Sequence, residues 1–262
     1  MIAGEHLKYG ADILAPVIAY IIQQRKTEYT IIKRDENEEW RKTKKIGSLL
    51  GDSEDIARRK QLASVSFNPL YTIWIRKDKV KEKVRLKLYN VLVKPILTYN
   101  SATWGLTKEE ERKLDSFHRK HLRKIIGIRY QHKIKNTKLY DRCKVRPISL
   151  DILEFGWRLF GHILRLQREV PANKAINYYF ENSKHKKYRG RSRTTLPVTL
   201  SNDLITLHKQ LPSALPPMIN NLKDVETIRR IAESRHDWRR VILDISKAAE
   251  AGKSSDYLVD RQ

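Results

Sequence analysis

Thr107-Lys108-Glu109-Glu110-Glu111-Arg112-Lys113-Leu114-Asp115-Ser116-Phe117-His118-Arg119-Lys120-His121-Leu122-Arg123-Lys124-Ile125-Ile126-Gly127 is the stretch on which the fold class turns. Thr107 and Glu110 stand at capping-box spacing and Gly127 is a natural stop, so one helix is expected between them. At 100° per residue, Leu114, Phe117, Leu122, Ile125 and Ile126 form one stripe. Arg112, Lys113, Arg119, Lys120, Arg123 and Lys124 gather on the other side with almost no acid among them. Like charges at i,i+4 repel, so a merely solvated face usually mixes both signs. One-signed clustering points to a phosphate-bearing partner, held through contacts that position without reading sequence. His118 and His121 fall inside the apolar stripe and lack a nearby thiol or carboxylate partner, so core histidines are expected rather than a zinc site.

The surroundings extend both the helical and the basic character. The chain has 262 residues, 54 Lys+Arg against 30 Asp+Glu, a net charge of +24 and 40% hydrophobic residues. That is enough apolar material for a real core and enough charge to favour a polyanion, with nucleic acid ahead of an anionic membrane. Between Trp74 and Arg146 there are 22 Lys+Arg against 7 Asp+Glu, so most of the excess lies in this part. One cysteine, Cys143, excludes an internal disulfide and any multi-cysteine zinc site; it is expected to be neither catalytic nor a ligand, although its basic setting could lower the thiol pKa.

Upstream, Val80, Val84, Leu88, Val91 and Leu92 recur at helical spacing, and Pro95 is expected to stop that helix. Asp52, Glu54 and Asp55 read as acids capping a helix N-terminus. Tyr29 to Ile32 is strand-like, Asp35 to Glu38 a polar turn, and Ile46 to Gly51 a short strand or hairpin arm. Ile13 to Ile22 reads as a buried helix N-capped by Asp12: it is too short to cross a bilayer, and its acidic flank does not suit a signal peptide. A nuclear or cytoplasmic protein, not a secreted one, is expected.

Downstream, an amphipathic helix is expected from about Ser149 to Arg168. It sets Ile152, Leu153, Phe155, Trp157, Leu159, Phe160, Ile163 and Leu164 against Arg158, His162, Arg165 and Arg168. Gly161, central on the basic side, suits close approach of another helix ahead of a phosphate strand. Residues 182–193 form a basic connector and 211–221 a Pro-rich linker. A last helix is expected from about Ser234 to Glu250, with Trp238, Val241, Ile242 and Ile245 on one face.

Several strings in order resemble non-LTR retrotransposon reverse transcriptases of the RTE-like kind. They are Trp40 to Asp52; Leu88-Tyr89 with Leu97 to Trp104; Phe117 to Ile128; Trp157 to Arg165; Arg189-Gly190-Arg191; and Arg235 to Arg239. The resemblance implies a fingers-like helix at 1–24 and a palm end at 25–51. The latter would hold a primer-grip-like hairpin at Ile46, Gly47, Ser48 and Leu49. A basic thumb would span 52–146 and a helical extension 147–262, a mainly α fold with a small β hairpin near its N-terminus. It also implies a nucleic-acid surface of Arg112, Lys113, Arg119, Lys120, Arg123, Lys124, Arg158, Arg165, Arg189 and Arg191, with RNA, DNA or their hybrid as partner.

The chain departs from the family where chemistry is concerned. Two-metal nucleotidyl transfer needs converging aspartates, two of them adjacent in this family, and no Asp-Asp pair occurs here. Ser192 stands where the family's Arg-Gly-Arg motif continues with proline, and Leu196 where a tryptophan is usual. A truncated, inactive binding remnant is therefore expected, with no catalytic residue, no resident metal, and Mg²⁺ only if a palm were present. Two alternatives stand beside it: a fragment of an active RNA-directed DNA polymerase, and a basic helical scaffold for acidic proteins.

Overall fold

A computed structural model describes residues 42, 44–45, 47–75, 79–128, 134–182 and 194–259. The expected helix at Ile13–Ile22, the strand at Tyr29–Ile32, the polar turn after it and most of the 182–193 connector lie outside these residues.

The described chain is mainly helical and starts at a minimal hairpin. Strands β1 (Lys44–Lys45) and β2 (Ser48–Leu49) pair antiparallel, Lys44 opposite Leu49 and Lys45 opposite Ser48. Gly47 turns the chain at φ +82°, a conformation that costs a glycine little. So short a hairpin has no stability of its own and must be held from outside. Helix α1 (Asp52–Phe67) holds it: Arg58 donates to the Gly47 carbonyl at 2.7 Å, Arg59 donates to Ser48 Oγ at 2.9 Å, and Asp55 accepts from the Leu49 amide at 3.0 Å. The acids of the first α1 turn suit the helix dipole, but they are not its cap. Gly51 is the N-cap, and Asp52 and Asp55 reach across to the Gly105 amide (3.1 Å) and the Trp104 indole (3.2 Å).

Helix α2 (Tyr71–Ile75) leads to α3 (Glu82–Leu92) and the single turn α4 (Lys94–Leu97). As expected, α3 ends just before Pro95, at Leu92 with Val93 as its C-cap. Pro95 then sits in the first turn of α4, where a missing N–H costs nothing because first-turn amides have no intrahelical partner. Of the apolar series, Val84, Val91 and Leu92 lie on the outer side of α3 and half-buried Leu88 packs against the core, while Arg85, Leu86, Tyr89 and Val93 point inward.

Helix α5 (Lys108–Ile126) has the expected ends. Thr107 and Glu110 form a reciprocal capping box, and Gly127 closes the helix in the left-handed region, with the Ile128 amide donating to the Arg123 carbonyl at 2.9 Å. Helix α6 (Asn136–Cys143) ends at Lys144, also left-handed.

Helix α7 (Ile148–Arg165) joins two apolar cores. Ile148 and Ile152 belong to the first, with Phe67, Tyr89, Leu114 and Ile125; Trp157, Phe160 and Leu164 belong to the second, with Leu204, Ile228 and Ile245. Pro147 offers α7 no side-chain cap, and Asp115 of α5 supplies one by accepting from the Ser149 amide (3.0 Å) and hydroxyl (2.7 Å). The second core is closed by α8 (Pro171–Asn182), α9 (Leu196–Leu207), α10 (Leu222–Glu233) and α11 (Arg235–Val259).

One expectation changes in this half and one holds. The Pro-rich segment is no free linker: Leu215 and Ile219 are buried, and Ile219 exchanges two hydrogen bonds with Ser201 (3.1 and 3.3 Å). Gly161 serves helix packing, since a Cβ there would overlap the Trp238 indole.

Candidate nucleic-acid interface

Packing splits the basic arc of α5 into two parts. Arg119 and Arg123 are half-buried and turn toward α6. Arg119 donates to the Tyr140 hydroxyl at 3.4 Å, and Arg123 to Asn136 Oδ1 at 2.7 Å. They act as struts as well as charges. Arg112, Lys113, Lys120 and Lys124 are exposed. Arg112 donates to the Lys108 carbonyl at 3.3 Å, and Lys113 lies 2.6 Å from Glu109. That hydrogen bond holds the Glu109 carboxyl below its ordinary range.

Lys120 and Lys124 continue the row one helical face further on. Lys124 Nζ lies 5.9 Å from the Phe67 ring centroid, and Lys60 of α1 lies 5.8 Å from that of Phe117. Lys60 thus joins the row from a second helix. Its signal in the sequence, the Arg58-Arg59-Lys60 run, hides which of three cations turns outward. The result is a seam between α1 and α5 that carries Lys60, Lys113, Lys120 and Lys124 over half-buried Phe117.

Beneath the seam the histidines are fully inside. His121 stacks on Phe67 with centroids 4.1 Å apart, and Tyr89 Oη lies 2.9 Å from His118 Nδ1. Burial pushes His118 down to about 3 and His121 down to about 4, so both rings are neutral at ordinary pH. Arg85, also buried, donates to the Ile125 carbonyl and pins α3 to α5.

The other sequence candidates scatter. Arg158 is exposed but paired with Glu154 at 3.2 Å, and Arg165 donates to the Ala232 carbonyl at 2.9 Å. Arg165 thus ties α7 to α10, while Arg158 stays on the surface of α7. Arg189, Arg191 and Ile46 lie outside the described residues. Gly47, Ser48 and Leu49 form the hairpin turn and second strand, with polar groups bonded to α1.

No group of three acidic, His or Cys side chains among the described residues could hold a metal ion. Asp52 and Asp55 do not fit the role, because their oxygens are taken up by the Gly105, Leu49 and Trp104 donors. No metal-dependent step follows from them. Cys143 is buried, and burial pushes its thiol up to about 11 rather than down. Among the described residues, no helix is long and apolar enough to cross a membrane. No protein-family model matches the chain, and no curated protein or solved structure matches it.

Proposed function

We propose that this chain binds nucleic acid without sequence preference, through the lysine seam between α1 and α5, as a thumb-like module of the reverse-transcriptase kind. The observation that carries it is the seam itself: Lys60, Lys113, Lys120 and Lys124 from two helices, with Glu109 the one acid seen to pair with them among the described residues. A phosphate backbone is the ligand that such a row suits, since each lysine can approach one phosphate and release its counterion. DNA, RNA and their hybrid all present the phosphate backbone that the seam suits, and a nuclear or cytoplasmic setting goes with such a partner. No residue of this chain is assigned nucleotidyl transfer, and the sequence resemblance to polymerases bears on binding alone.

The test is fluorescence anisotropy on two 20-base-pair duplexes of unrelated sequence. Lys113, Lys120 and Lys124 changed together to Gln should weaken binding to both by a similar factor, more than tenfold at low salt, with helicity retained. Unchanged affinity in that variant rejects the seam as the interface.

A further inference from the structure

We infer that the outer stripe of α3 is a docking face for an acidic amphipathic helix of a partner protein. Val84, Leu88, Val91 and Leu92 recur at i, i+4, i+7 and i+8, the pattern of a helix face made for apolar contact. Most of this stripe faces out: Val84 is 47% exposed, Val91 61% and Leu92 43%, while half-buried Leu88 also packs against the first core. Val65 of α1, 62% exposed, extends it sideways, because Ser66 Oγ donates to the Leu92 carbonyl at 3.2 Å and brings the end of α1 beside α3. The inward face of α3 is separately filled by Arg85, Leu86, Tyr89 and Val93. Tyr89 and Arg85 lead to α5, so the stripe points away from the lysine seam.

Charge complementarity selects the occupant. Lys83 and Lys87 are exposed along one edge of the stripe, and exposed Lys81 caps its start. Glu82, the nearby acid, is tied to Arg142 by two hydrogen bonds at 3.2 and 2.8 Å. An apolar row about two helical turns long with a cationic fringe matches a helix that carries leucine-like anchors between glutamates or aspartates. A nucleic-acid backbone would leave the valines without a function. A membrane surface suits less well, because interfacial helices insert Trp and Phe beside Leu, and this stripe carries no aromatic residue. A second copy of the chain would set lysine fringe against lysine fringe.

The probe is a synthetic 18-residue helical peptide with leucines at i, i+3, i+4 and i+7 flanked by glutamates. It is compared with its Glu→Lys and Leu→Ser counterparts, and titrated into the full chain by calorimetry. The acidic leucine peptide should bind one to one, and both counterparts should bind at least tenfold more weakly. Val91→Ser with Leu92→Ser should weaken binding tenfold or more, as should Lys83→Gln with Lys87→Gln, each with an unchanged circular-dichroism spectrum. Equal binding by the Leu→Ser peptide, or full affinity in the Val91→Ser, Leu92→Ser variant, overturns the proposal in favour of charge alone. Co-sedimentation with anionic vesicles, or self-association of the chain, that is lost in that same variant overturns it in favour of lipid or a second copy.

Discussion

Lowering the pH from 6.5 to 5 should destabilise the fold by about 1.5 kcal/mol, and the buried histidines are the reason. His118 and His121 titrate near 6.5 when unfolded and are pushed to about 3 and about 4 in the native protein. Between those limits the unfolded chain binds up to two more protons than the folded one, so stability is full above pH 6.5 and falls as pH falls. Each proton is worth about 1.4 kcal/mol per pH unit. Asp203 works the other way. Its enclosed carboxyl, which accepts from the Trp157 indole at 3.1 Å, is pushed up to about 7 by burial. The native state therefore holds one extra proton there from about pH 7 down to the ordinary aspartate range, which offsets one histidine. The net slope is about 1.4 kcal/mol per pH unit, a large loss for a domain whose whole stability is on the order of 5–15 kcal/mol. Urea unfolding followed by circular dichroism at pH 7.5, 6.5, 5.5 and 5.0 at constant ionic strength measures it. His121→Phe keeps the stack on Phe67 and removes one titrating ring, so its stability should be nearly flat over the same range. A wild-type stability that is flat or rising toward pH 5, or a variant with the parent's slope, refutes the reasoning.

Gly161→Ala should cost about 1–3 kcal/mol, because the methyl overlaps the Trp238 indole and α7 and α11 must separate; thermal unfolding reads it. Asp115→Ala should cost about 2–3 kcal/mol, since it removes the cap of α7 and leaves Lys253, 3.5 Å away, with Glu111 and Ser149 alone; denaturant midpoints check it. Cys143 should react with a thiol reagent at the rate of unfolding rather than at the rate of an exposed thiol, and stopped-flow labelling across urea concentrations distinguishes the two.

Local signals were readable in the sequence where local chemistry decides the structure. The Thr107–Glu110 box and Gly127 bound α5 as expected, and the faces of α5 and α11 follow helical periodicity. The tertiary roles of polar side chains were not readable. Asp115 sits on the apolar arc of α5 between Leu122 and Ile126, a hint that it is buried, but nothing nearby shows that it caps a helix 33 residues further on. Arg59, Arg85 and Asp55 look like surface charges and are buried ties. The same blindness applies to the candidate site: periodicity groups six cations on α5, yet only α6 shows that Arg119 and Arg123 turn inward. On α3 the apolar series signals a helix correctly while concealing that its stripe faces out.

A lysine seam that tracks phosphates makes duplex binding steeply salt-dependent, which a salt titration with polyglutamate of equal charge as competitor measures. Four lysine–phosphate contacts predict log K falling against log salt with a slope of roughly −3.6, and of about −1 when Lys113, Lys120 and Lys124 are Gln. Duplex should also outcompete polyglutamate. A slope near −3.6 that persists in the triple variant, or polyglutamate displacing duplex on equal terms, contradicts the account.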